Sequence, residues 1–135
     1  MTLERFVQAQ DEVWDDVLAE LRAGRKRTHW MWFVFPQVAG LGRSSTAQHY
    51  AVADLAEARA YLEHPVLGAR LRQACDLLLE LEGTTAHAVL GSPDDVKLRS
   101  SMTLFAAADP VEPRFPAVLT QWYDGPDDRT VRLLT

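Results

Sequence analysis

Apolar positions recur every three or four residues along almost the whole chain, the spacing of one buried helical face. Val13, Trp14, Val17, Leu18 and Leu21 form one such stripe, which Asp11 can cap and Gly24 can close. Ahead of it, Thr2 can cap a shorter helix presenting Leu3, Phe6 and Val7. Asp54 opens a helix carrying Leu55, Ala58, Tyr61 and Leu62, and His64-Pro65 ends it, with Pro65 suited to the first turn of the next. Leu67, Leu71, Ala74, Leu78 and Leu81 then share a face up to Gly83. Thr85 starts a short turn of helix ending near Gly91. Ser92-Pro93-Asp94-Asp95 is a start signal combining a hydroxyl, a first-turn proline and two carboxylates at the positive end of the helix dipole. Behind it, Leu98, Met102 and Phe105 point inward. Phe115, Val118, Leu119 and Trp122 mark the last helix, which Gly125-Pro126 ends. Leu71, Leu78, Met102 and Trp122, each recurring on an apolar helical face, are predicted to be core residues.

Two stretches break the rhythm. Trp30 to Phe35 is apolar on every side, so periodicity cannot orient it, and Pro36 forces it to end. It is predicted to be a buried helix. Val38 to Ser44 holds Gly40 and Gly42 and reads as a loop, with Ser44 or Ser45 capping a helix that runs to Tyr50. No stretch alternates long enough to demand a strand. The pattern predicts an all-α, multi-helical fold forming a single domain over residues 1–135.

Composition narrows the class. The 135 residues are 47% hydrophobic and 24% charged, an ordinary globular balance. A lone cysteine, Cys75, allows neither a disulfide framework nor a multi-cysteine metal site. The four histidines, His29, His49, His64 and His87, show no ligand spacing, so no metal and no cofactor are expected. The net charge of −5 argues against nucleic acid as a partner. The start, Met1-Thr2-Leu3-Glu4-Arg5, lacks the apolar stretch of a signal peptide, and the aromatic run is too short for a bilayer. A cytoplasmic location and no membrane partner are the expectation. Arg22, Arg25, Lys26 and Arg27 crowd the end of one helix, where cations complement its dipole; an anion-recognising rim is the alternative.

Three segments carry a resemblance. They are His29-Trp30-Met31-Trp32-Phe33-Val34-Phe35-Pro36-Gln37 with Gly40-Leu41-Gly42-Arg43-Ser44, then Ala60 to Gly68, then Asp95 to Phe105. In that order they resemble the bacterial family catalogued as domain of unknown function 1810, whose members are sometimes labelled calpastatin. The resemblance spans nearly the whole chain and implies a compact, all-helical orthogonal bundle. It implies no activity and transfers no catalytic residue. The calpastatin label fits poorly, since such an inhibitor is a long disordered repeat protein and this chain has a core.

The polar residues beside the apolar segments are the candidates for chemistry. Cys75 lies beside an apolar stripe and reads as core rather than nucleophile. The loop Gly40-Leu41-Gly42-Arg43-Ser44-Ser45 runs into a helix start, where free N–H groups favour an anion and Arg43 could add a fork; a turn with a serine cap explains it as well. On the following candidate helix, Lys97 and Ser101 share a flank, although lysines commonly snorkel and serines commonly permit close packing. Trp30 and Trp32 suit a pocket wall, with His29 and Gln37 as polar edges. The resulting expectation is a site for an anionic or polar small molecule, lined by His29, Trp30, Trp32, Gln37, Arg43, Ser44, Lys97 and Ser101. Arg43, Lys97 and His29 would converge on the anion, and the loop and the Lys97 helix would have to meet. Whether such a site also catalyses stays open, with His29 or Lys97 as the acid–base candidate. The alternative is a non-catalytic module that docks a protein partner or a second copy through the same aromatic and basic surface.

Overall fold

Helix accounts for the regular structure throughout, in a computed structural model that describes residues 2–135. Among the described residues, ten helices follow one another: α1 (Glu4–Asp11), α2 (Trp14–Ala23), α3 (Met31–Val34), α4 (Ser45–His49), α5 (Leu55–Glu63), α6 (Leu67–Glu80), α7 (Ala86–Leu90), α8 (Asp94–Ala108), α9 (Arg114–Trp122) and α10 (Asp128–Leu134). No strand is present among the described residues, and the one β-type pairing is an isolated parallel bridge between Val38 and Val52.

α8 is the central element. It packs against α5, α7, α9 and α10, and its buried residues run consecutively from Ser100 to Phe105 rather than along one stripe. A helix surrounded on several sides has no polar face to spare, so its small residues must be accommodated inside. Ser100 donates to the Val96 carbonyl at 3.3 Å and Thr103 to the Arg99 carbonyl at 2.8 Å, each satisfying its hydroxyl one turn back along the helix. α6 lies against α2, α5 and α9, and buries Leu71, Ala74, Cys75 and Leu78. At the α5–α6 corner, a Cβ on Gly68 would stand 2.1 Å from the Leu62 carbonyl oxygen, so only glycine lets the chain turn that tightly.

The capping signals succeed where the chain leaves a helix N-terminus open. Ser44, Asp54 and Thr85 accept from the backbone amides of Ala47, Glu57 and Ala88. Gly24 adopts φ 72° and closes α2. Other expectations need correction. Asp11 does not cap α2: it is the last residue of α1, and Arg70 holds its carboxylate at 2.8 Å. α1 takes Leu3 rather than Thr2 as its cap residue, and α8 takes Pro93 rather than Ser92, neither with a side-chain bond. The aromatic run yields only one turn, α3, because Phe35 leaves helical geometry ahead of Pro36. Trp122 is half-buried against the core rather than central. α10 has no counterpart in the sequence reading, although Asp127 caps it by accepting from the Thr130 amide at 2.9 Å and hydroxyl at 2.7 Å.

Candidate functional site

Residues 31–51 and, far along the chain, the start of α8 wall one narrow cleft. Trp32 and Gln37 come from the aromatic segment, Gly42 from the glycine loop, Ala47 from α4, and Lys97 from the first turns of α8. Tyr50 and Ala51 close the rim, over a floor of Met31, Phe35 and Val38. The interior volume is about 10 Å³, room for one water-sized group. Only two of these side chains, Gln37 and Lys97, are polar beyond the tyrosine hydroxyl and the indole N–H.

Each wall is held by a specific contact. Gln37 is fixed through its backbone, whose carbonyl accepts from the Val52 amide at 2.9 Å, while Val52 accepts from Ala39 at 2.8 Å. Arg5 pins the far side of the loop by donating to the carbonyls of His49 at 2.8 Å and Ala51 at 2.9 Å. A Cβ on Gly42 would lie 2.4 Å from the Ala47 Cβ, so the loop and α4 approach as closely as they do because that residue is glycine. Gln10 reaches from α1 to the Phe33 carbonyl at 2.6 Å and to the Tyr61 hydroxyl at 3.0 Å, anchoring α3 from behind.

The charges around the cleft are arranged about two tryptophans. The Lys97 ammonium stands 5.2 Å from the Trp32 ring centroid, and the Lys26 ammonium 5.1 Å from that of Trp30, both within cation–π range. Asp94 lies between them. One of its oxygens is 2.9 Å from Lys26 and the other 3.9 Å from Lys97. The closer pairing satisfies Lys26, whose side chain is 8% exposed, and leaves Lys97 at 24% with a contact too long for a hydrogen bond. Asp94 is thus shared by two ammonium groups, and the one less closely paired, that of Lys97, lines the cleft.

Behind this row, Glu20 ties down the segment that leads into α3. It accepts from the backbone amides of Arg27 at 2.6 Å and Thr28 at 2.9 Å, from the Thr28 hydroxyl at 2.7 Å and from the Trp30 indole at 3.1 Å. Burial pushes this carboxyl up, but the hydrogen bonds from Thr28, Arg27 and Trp30 outweigh it and bring it to about 2. Glu20 is therefore an anion at any ordinary pH, and Trp30 is set by it.

The expected site residues separate into two groups. Trp32, Gln37 and Lys97 meet in the cleft, and the loop and the Lys97 helix do adjoin. Trp30 is fully buried beneath, its N–H spent on Glu20. His29 is exposed and forms no part of the wall, because the bend before α3 turns it outward. Arg43 is exposed and only its carbonyl is engaged, by Gln48 at 3.0 Å; the loop meets the cleft one residue earlier, at Gly42. Ser44 serves α4 as its cap. Ser101 is wholly buried with no hydrogen-bond partner, and it does not line the cleft. Of three cations expected to converge, Lys97 alone reaches the site.

Sequence reasoning missed Lys26, Asp94, Glu20 and Tyr50. Lys26 was visible as one of four crowded cations, and Asp94 as a first-turn acid. Nothing in the sequence marks Glu20, since an acid in an amphipathic helix usually faces water. Cys75 is core, its thiol pushed up by burial, in keeping with a small packing residue. Trp30, Met31, Val34 and Phe35 are at most 1% exposed, so of the aromatic run only Trp32 and Phe33 reach the surface. Among the described residues, no three His, Cys, Asp or Glu side chains group as metal ligands, and no helix is long and apolar enough to cross a membrane.

Comparison with known proteins adds a family and a fold. The family model described as "Protein of unknown function (DUF1810)" matches residues 1–134. The crystal structure of the conserved hypothetical protein Rv1873 from Mycobacterium tuberculosis is similar at 52% identity and a TM-score of 0.96, over 98% of this chain and 95% of that one. A search of curated proteins gives no match.

Proposed function

Because the chain belongs to the DUF1810 family, whose description assigns no activity, we propose a function from its own cleft: a helical domain that binds a polar or anionic small molecule. One observation carries this. Lys97 stands over Trp32 at a cleft whose other walls come from residues 31–51, with its charge only loosely answered by Asp94. Its ammonium is held 5.2 Å from the Trp32 ring centroid instead of extending free into solvent.

Binding is the reading favoured over catalysis. Gln37 does not titrate, His29 stands outside the walls, and the only proton-exchanging group lining the cleft with Lys97 is the Tyr50 hydroxyl. A thermal-shift screen against small anions and polar metabolites tests the proposal. A ligand at about 100 times its dissociation constant adds roughly 2.7 kcal/mol of stability. That gain should vanish in Lys97→Met. An equal gain in the variant would place the ligand elsewhere.

A further inference from the structure

We infer that the protein carries a second binding site, an apolar groove at the C-terminal end of α8 that takes an uncharged, hydrocarbon-rich small molecule. It shares no residue with the Lys97 cleft. Its floor is Ala106 and Ala107 on α8, and its walls are Leu55 of α5, Leu119 of α9, and Val131 and Leu134 of α10. The two alanines leave α8 without bulk where α9 and α10 flank it. α10 is kept from settling into that space, because its start is bolted in place. The Asp127 amide donates to the Thr103 hydroxyl at 2.8 Å, and the wholly buried Thr130 donates its hydroxyl to the Asp127 carboxylate at 2.7 Å. The groove that remains has a volume of about 550 Å³, inside the range of about 300–1,000 Å³ typical of small-molecule sites.

The lining selects the ligand. Eight of its ten residues have side chains of hydrocarbon only. The other two are threonines whose hydroxyls are already committed. Thr103 donates to the Arg99 carbonyl at 2.8 Å while accepting from Asp127, and Thr135 donates to the Arg132 carbonyl at 3.1 Å. Pro116 and Pro126 bring no N–H. A carboxylate, a phosphate or a sugar hydroxyl against these walls would lose water and gain no side-chain donor. An apolar skeleton gains by covering them, Val131 above all, which is 40% exposed. Size decides between a ligand and a protein. A stable protein interface takes about 20–30 residues from each side. This groove offers eight apolar ones, and α10 also exposes the charged Asp128, Arg129 and Arg132.

Fluorescence titration with a matched pair of probes tests the inference. N-phenyl-1-naphthylamine is uncharged, and 8-anilino-1-naphthalenesulfonate adds a sulfonate to the same rings. The neutral probe should brighten saturably at one per chain and bind at least tenfold tighter than the sulfonate. Ala107 and Val131 are both exposed, so Ala107→Glu and Val131→Glu should fold, as circular dichroism checks. Each should weaken the neutral probe at least tenfold. Val111→Glu, the same change at a side chain 88% exposed and outside the groove, should not. Equal binding of the two probes overturns the choice of an uncharged ligand. Unsaturable binding, or an affinity unchanged in both groove variants, overturns the site itself. So does a parent chain that dimerises in sedimentation while Val131→Glu stays a monomer, since a second copy would then cover the groove.

Discussion

Glu20 accepts the indole N–H of Trp30 at 3.1 Å, and through that bond α2 sets the position of the residue on which Lys26 rests. Replacing Glu20 with alanine strands the amides of Arg27 and Thr28 and the indole together. Glu20→Ala should therefore cost about 3 kcal/mol, the upper end for hydrogen bonds to a charged group. Urea denaturation measures it; a loss under about 1 kcal/mol would show that water replaces the carboxylate without penalty.

The same carboxylate gives a pH dependence of known sign. Its folded-state value, about 2, lies below the ordinary 4.5, so the native state holds the proton less tightly than the unfolded chain. The stabilisation is complete above the ordinary value and drains away as pH falls towards 2. Denaturation midpoints followed downward from neutral pH should decline in that window, and Glu20→Gln should decline less steeply.

Ser101 has the opposite character. Its hydroxyl is buried and unpartnered, so Ser101→Ala removes a desolvation penalty and little packing. The variant should match or exceed the parent by up to about 1 kcal/mol, and ligand-induced stabilisation in the thermal-shift screen should be unchanged. Weaker binding on this substitution would return Ser101 to the site.

Gly42→Ala probes the wall between loop and α4. The new Cβ must displace Ala47, because 2.4 Å is far inside contact distance. Overpacking of this kind costs about 1–3 kcal/mol in a core, and less at a yielding surface helix. Stability should fall slightly while binding falls at least tenfold, a split that calorimetry and denaturation resolve together.

Leu78→Ala reports on the core itself. Leu78 is completely buried on α6, and its truncation should cost on the order of 2–5 kcal/mol.

The legible part of this fold was the part governed by local rules. The stripes of α2, α6 and α9 and the caps Ser44, Asp54 and Thr85 follow from spacing and from side chains acting within three residues. α10 escaped because Gly125-Pro126 reads as an end, while the cap at Asp127 and the apolar pair Leu133 and Leu134 are too brief to register as a period. The meeting of the glycine loop with the Lys97 helix was legible for another reason: polar groups beside apolar runs must be answered somewhere. Which polar groups would face the cleft was not legible. Between Gly42 and Arg43 lies a single peptide, and only the tertiary path decides which of the two turns inward.

The Val38–Val52 bridge gives the cleft walls unequal permanence. Every residue from Ala39 to Ala51 is at least partly exposed, and α4 buries nothing. Two backbone hydrogen bonds at the base, Arg5 at the far end, and Leu41 and Tyr50 packed on the core hold this stretch against the rest. Its amides should therefore trade hydrogen for deuterium through a local opening, whereas those of α8 wait for global unfolding. A guest reaching the cleft would then find Lys97 stationary on one side, and the speed of its arrival would be set by how often the stretch from Ala39 to Ala51 opens on the other.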